Sequence, residues 1–147
     1  MTREQPAVPA PSTIAEVHQL YGWQSRYIDG GRAADWAATF TADGEFHSPS
    51  YPEPVAGTAA LTEFAAAFRE GARAANEVRR HVVTNIAVLQ EDSETLTVGA
   101  YLQIVATAPG EASRLVRMTT LEDRLERTGG RWLVAHRRVS RDDTPWP

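Results

Sequence analysis

The stretch Arg79-Arg80-His81-Val82-Val83-Thr84-Asn85-Ile86-Ala87-Val88-Leu89-Gln90 decides how the rest of the chain reads. Val82, Val83, Thr84, Ile86 and Val88 are β-branched, and that density favours a pleated strand. Successive strand side chains point to opposite faces. Strict alternation therefore puts His81, Val83, Asn85, Ala87 and Leu89 on one face and Val82, Thr84, Ile86 and Val88 on the other. An imidazole and an amide among apolar neighbours is the make-up of a dry pocket with a few polar groups. The competing reading of His81 is a hydrogen-bonded structural residue.

Downstream, everything reads as β. Glu91-Asp92-Ser93-Glu94 forms a turn and Thr95–Thr107 a long strand, with Leu96, Val98, Ala100, Leu102 and Ile104 on one face. Pro109-Gly110 marks the next turn. Arg114–Arg127 alternates again, with Leu115, Arg117, Thr119, Leu121, Asp123 and Leu125 on one side. Gly129-Gly130 suits a tight hairpin, and Arg131–Ser140 is the last strand. Its alternation groups Trp132, Val134, His136, Arg138 and Ser140 against Leu133, Ala135, Arg137, Val139 and Arg141.

Upstream, the chain reads as helical. Residues 1–11 contain three prolines among small and polar residues and read as a disordered lead-in. Thr13 and Glu16 have capping-box spacing, and Ile14, Val17, Leu20, Tyr21, Tyr27 and Ile28 recur at helical spacing up to Gly30-Gly31. A short second helix carries Trp36, Ala37 and Phe40 and ends at an Asp43-Gly44 turn. Glu45–Ser48 is a short strand, and 49–57 a proline-rich loop suited to a pocket rim. Thr58 can cap a third helix with Leu61, Phe64, Ala65, Phe68 and Ala72 on its apolar side. One domain over 12–141, followed by a tail at 142–147, is the expected organisation. Three helices on one face of a curved antiparallel sheet make an α+β cone around an apolar pocket.

Composition narrows the chemistry. The 147 residues include no cysteine, which removes disulfides, thiolate metal sites and a thiol nucleophile. All fifteen basic residues are arginine, so Schiff-base and P-loop lysines are absent too. A formal charge of −4 argues against nucleic acid as a partner. No apolar run is long enough to span a bilayer, and no signal-like segment opens the sequence; a cytoplasmic location is expected. His18, His47, His81 and His136 show none of the short spacings of a metal site, so no metal is expected. The glycines form no dinucleotide fingerprint, and no cofactor is expected.

Several segments together resemble the SnoaL-like branch of the cone-shaped superfamily typified by nuclear transport factor two, ketosteroid isomerase and scytalone dehydratase. They are Tyr27-Ile-Asp29-Gly30-Gly31 with Trp36 and Phe40, Asp43-Gly44, Arg80-His81-Val-Val-Thr84-Asn85, Leu121-Glu-Asp123-Arg-Leu125, and Gly130-Arg-Trp132-Leu-Val-Ala-His136-Arg137-Arg138-Val139-Ser140. The likeness lies in their order and spacing and spans Thr13 to Ser140. It implies the cone fold, a homodimer formed through the outer face of the sheet, and a small aromatic or polyketide-like ligand. Members include cyclases, dehydratases, isomerases, hydroxylation proteins and plain binding modules, and the fold alone does not choose among them.

In dehydratase-like members the acid–base pair is an aspartate ending the first helix and a histidine opening the strand after the third, which correspond here to Asp29 and His81. A carboxylate on one imidazole nitrogen fixes the tautomer and raises the basicity of the other, as proton transfer at a carbon beside a carbonyl requires. As an alternative, Asp29 before Gly-Gly is turn chemistry. The family tyrosine on the first helix is replaced by Gln24, which can donate a hydrogen bond but not a proton; Tyr21 and Tyr27 lie near. Expected pocket residues are Trp23, Gln24, Tyr27, His47, Asn85, Tyr101, His136 and Arg138, with Phe46 as an aromatic wall, Asn85 as an oxyanion donor or as the residue that orients His81, and Arg141 as a weaker family match. These features point to a cofactor-independent tailoring enzyme that cyclises, dehydrates, hydrates or isomerises a carbonyl compound. The alternative is a non-catalytic protein that binds or shields an intermediate or assists an oxidoreductase. A cavity with His81 and Asp29 in hydrogen-bond reach would favour the enzyme.

Overall fold

The structure, a computed structural model, describes residues 8–144. In chain order it contains α1 (Pro11–Asp29), α2 (Ala33–Ala37), β1 (Phe40–His47), β2 (Val55–Ala56), α3 (Thr58–Ala74), β3 (Val78–Glu91), β4 (Thr95–Thr107), β5 (Arg114–Thr128) and β6 (Arg131–Arg141). The strands form one sheet in the order β2-β1-β6-β5-β4-β3. The α+β cone expected from the sequence is present: the helices cover one face of an open sheet, and the core lies between. The sheet is mixed, however, because β1 runs parallel to β6. No described helix is long and apolar enough to cross a membrane.

The first helix begins at Pro11, inside the stretch read as lead-in; residues 1–7 of that stretch and 145–147 of the tail lie outside the described residues. Proline at the first helical position costs nothing, since its missing N–H would have had no intrahelical partner. The Thr13–Glu16 capping box does not form: Ala10 is the N-cap, and Thr13 is buried one turn inside. Val17, Tyr21, Gln24 and Ile28 make the buried stripe, and Asp29 ends the helix beside β3.

The strands hold to alternation less strictly than their sequences suggest, because bulges intervene. In β3, Thr84 pairs with Tyr101 and Ala87 with Gly99, so three steps on β3 oppose two on β4. The extra residue is Asn85, at φ 53°, a conformation asparagine tolerates better than most side chains. Beyond it the faces exchange: Ile86 and Val88 pack against the core rather than outside. In β6, Arg124 pairs with His136 and Leu125 with Val134, which makes Ala135 the extra residue. Trp132 and Val134 point inward before this bulge, Arg137 and Val139 after it. A third bulge, where Ile104 pairs with Arg117 and Val105 with Leu115, leaves Leu115 58% exposed.

Phe40 and the Asp43-Gly44 pair belong to β1 rather than to a helix and a turn. The strand deviates between Phe40 and Glu45. A side chain at Gly44 would lie 2.9 Å from the Phe40 Cβ and 3.1 Å from the Val134 carbonyl oxygen, so only glycine fits there. Gly129 and Gly130, with φ of 57° and 76°, make the two-residue hairpin as expected.

Candidate active site

The end of α1 and the start of β3 bring Asp29 and His81 together. The Asp29 Oδ1 atom lies 2.7 Å from His81 Nδ1, and the His81 backbone N–H donates to Oδ2 at 3.0 Å. Both side chains are largely buried. Arg69 of α3 donates to the Asp29 carbonyl oxygen at 2.9 Å and so anchors the helix end. With an ionised carboxylate on Nδ1, that nitrogen carries the proton and Nε2 keeps a lone pair. Nε2 makes no hydrogen bond with the described residues. The His81 ring rests on Phe68, with centroids 4.6 Å apart.

His81 lines a cavity under the cone, walled by Ile28, Trp36, Phe46, Phe64, Phe68 and Leu102. Its enclosed part holds about 60 Å³ and opens into a wider mouth. The polar groups on the wall are few: Ser48, Tyr51, Arg117, Thr119 and Arg137 besides His81. Few polar groups on an apolar wall are what fixes the orientation of a small ligand. A groove of about 500 Å³ between α1 and the β5–β6 hairpin is roomier but holds no acid–base pair.

Behind the cavity lies a polar cluster that the sequence reading does not assemble. Arg137 donates from Nε to Asp123 Oδ1 at 2.9 Å and from Nη2 to Asp123 Oδ2 at 2.7 Å and Gln24 Oε1 at 2.8 Å. The Tyr21 hydroxyl donates to Asp123, and Gln24 Nε2 donates to the Thr39 hydroxyl at 2.8 Å. All five side chains are buried. Burial works against the Arg137 charge, but the Asp123 carboxylate outweighs it and holds Arg137 above the ordinary arginine range. Burial, together with the Asp123 charge, pushes the Tyr21 hydroxyl well up, so it stays a neutral donor.

The remaining expected pocket residues scatter. Gln24 is committed to Thr39 and Arg137 and does not line the cavity. Trp23 and Tyr27 stack on each other, 5.5 Å between centroids, and line the separate groove. Asn85 and Tyr101 sit on the outer face of the sheet, the first because it is itself the bulge, the second because it pairs with Thr84 on that face. His136 and Arg138 face outward after the Ala135 bulge, and Arg138 reaches Glu122 on the surface. His47 also lies outside, stacked on His136. Arg141 is on the inner side, held by Asp143 and Ser50. Tyr21, near the position of the missing tyrosine, is spent on Asp123; Tyr51, from the proline loop, is the tyrosine that reaches the cavity.

These features define a cone-shaped α+β protein with a carboxylate–imidazole pair on the wall of an apolar cavity. Residues 11–138 match the SnoaL-like domain, and the chain belongs to that family. Its structure is similar to that of ActVI-ORFA from Streptomyces coelicolor, at 28% identity over 94% of this chain and 100% of that one, with a TM-score of 0.83. It is similar also to Aln2 from another Streptomyces strain, at 28% identity over 93% and 96% of the two chains, TM-score 0.83. A protein from Catenulispora acidiphila, solved in complex with S-DNPA, shares 27% identity over 91% and 96%, TM-score 0.78. No curated protein matches the chain.

Proposed function

We propose that the protein is a cofactor-independent natural-product tailoring enzyme that moves protons on a carbonyl compound through His81, held by Asp29. The observation that carries this reading is the 2.7 Å contact between Asp29 and His81 Nδ1 on the wall of the cavity. The Nε2 lone pair removes a proton from a carbon next to a carbonyl, and Asp29 stabilises the imidazolium that forms. Arg117 supplies positive charge on the same wall, where the oxygen of the resulting enolate would be stabilised. The protonated imidazole then returns its proton to the substrate, at carbon for isomerisation or at a departing hydroxyl for dehydration. Tyr51 is the second donor, in place of the tyrosine that Gln24 replaces. The S-DNPA complex of the Catenulispora relative supports a small-molecule ligand.

A second reading, a protein that binds an intermediate without transforming it, draws on one observation: Gln24 is locked between Thr39 and Arg137 and offers the cavity no donor. Deuterium exchange from solvent into candidate cyclic and polyketide-like ketones separates the two. Exchange that His81→Ala abolishes supports proton transfer. Equal exchange in both proteins, on a ligand that still binds, supports the binding protein. A homodimer through the outer sheet face belongs to the same proposal. Val82, Leu89, Tyr101, Leu115 and Val116 are exposed there, although Ile86 and Val88, expected among them, are turned into the core. Sedimentation equilibrium that finds a monomer at micromolar concentration overturns it.

A further inference from the structure

On the outer face of the sheet, at the end away from that apolar patch, the parallel β1–β6 pair gathers three side chains with metal-ligand atoms. The register sets Glu45 opposite His136, and His47, two residues on, shares the face of Glu45. The Ala135 bulge is what turns His136 outward to meet them. One ligand atom from each of Glu45, His47 and His136 lies within 4.8 Å of the others. The two imidazoles stack at 4.5 Å, and His47 Nε2 is 3.7 Å from Glu45 Oε2.

That distance is too long for a hydrogen bond. His47 Nε2 is nonetheless shielded from solvent and has no partner among the described residues. A buried ring nitrogen without a partner has lost its water with no replacement and calls for an explanation. A divalent cation among the three side chains supplies one: two imidazoles and a carboxylate are a ligand set that binds zinc and leaves a fourth position open. Imidazole donors also select zinc, copper and nickel over magnesium and calcium. Arg138, opposite His47 in the register, is the nearby opposing charge, but its guanidinium is directed to Glu122.

We propose that Glu45, His47 and His136 form a binding site for one divalent transition-metal ion. The ligand atoms need to close by up to about 1.5 Å to reach the Zn–N and Zn–O distances of tetrahedral zinc, a movement that half-exposed side chains on a strand end can make. The ion would tie β1 to β6 beside Phe46 and Ser48, both of which line the His81 cavity from the other face.

Calorimetric titration of the untagged, metal-stripped full chain with zinc, repeated with nickel, tests the site. One equivalent per chain is expected, weakened by roughly tenfold or more in His47→Ala and in His136→Gln, since even indirect partners of a ligand cost that much. His18→Ala and His81→Ala should bind as the wild type does. A cobalt titration should give a visible d–d band that the two ligand variants lack, which reads the site independently of heat. No binding in the micromolar range, or binding and band intact in a folded His47→Ala or His136→Gln, overturns the proposal.

Discussion

Asp29 and Asp123 are both buried carboxylates, and each is held against a basic partner, but their surroundings differ. Asp123 accepts from two nitrogens of the Arg137 guanidinium and from Tyr21, and the network closes beyond them through Gln24 and Thr39. Asp29 meets His81, which lines the cavity and whose second ring nitrogen has no hydrogen-bond partner among the described residues. A carboxylate with its partners fully enclosed fixes a fold; one whose partner keeps a free lone pair can do chemistry. On the proposed mechanism the same residue type serves two ends, and what separates them is how many of the partner's polar atoms are already committed.

The comparison breaks most visibly at Asp123. Asp123→Ala leaves the Arg137 charge buried without its counter-ion and should destabilise the fold by about 3–5 kcal/mol. Tm should fall by roughly 10 °C, read by thermal denaturation. His81→Ala should act mainly on the chemistry, lowering proton-transfer rates about 10²–10⁴-fold at a smaller stability cost of about 1–3 kcal/mol, because Asp29 keeps the His81 backbone N–H as a donor. If Tm instead falls as far as in Asp123→Ala, His81 belongs with the structural cluster. Tyr21→Phe removes one donor to Asp123 and should cost about 1–3 kcal/mol without changing turnover of a bound ketone. Trp23→Ala should have the smallest effect, within about 0.5 kcal/mol of wild type and with ligand affinity unchanged, because Trp23 lies in the separate groove. A marked loss of affinity there would move the ligand out of the His81 cavity.

The fold is readable from the sequence because its signals are local. The alternating apolar residues of β4, the Gly129-Gly130 turn and the stripe on α1 each follow from spacing alone. The Asp29–His81 pairing is legible through the family resemblance, which supplies the long-range contact that spacing cannot. The faces of β3 and β6 depart from strict alternation for one physical reason. A bulge adds a residue and reverses every side chain beyond it. The signal is nevertheless present. In β6 the core residues Val134 and Val139 are five apart, and in β3 Val83 and Ile86 are three apart, odd gaps that no regular strand can keep on one face. Read as bulges, those gaps send His136, Arg138 and Asn85 outside and bring Arg137 in. The Glu45–His47–His136 group has no such signal, because it depends on which strands become neighbours.

The central claim is that Asp29 fixes the His81 tautomer so that Nε2 keeps its lone pair toward the cavity. Nitrogen-15 NMR of ring-labelled histidine reads this directly, with His81→Ala to assign the signal. At pH above the imidazole titration, His81 should show a protonated, pyrrole-like Nδ1 and a pyridine-like Nε2. A protonated Nε2 with the lone pair on Nδ1 would contradict the account, because the only base available to the cavity would then be turned against Asp29.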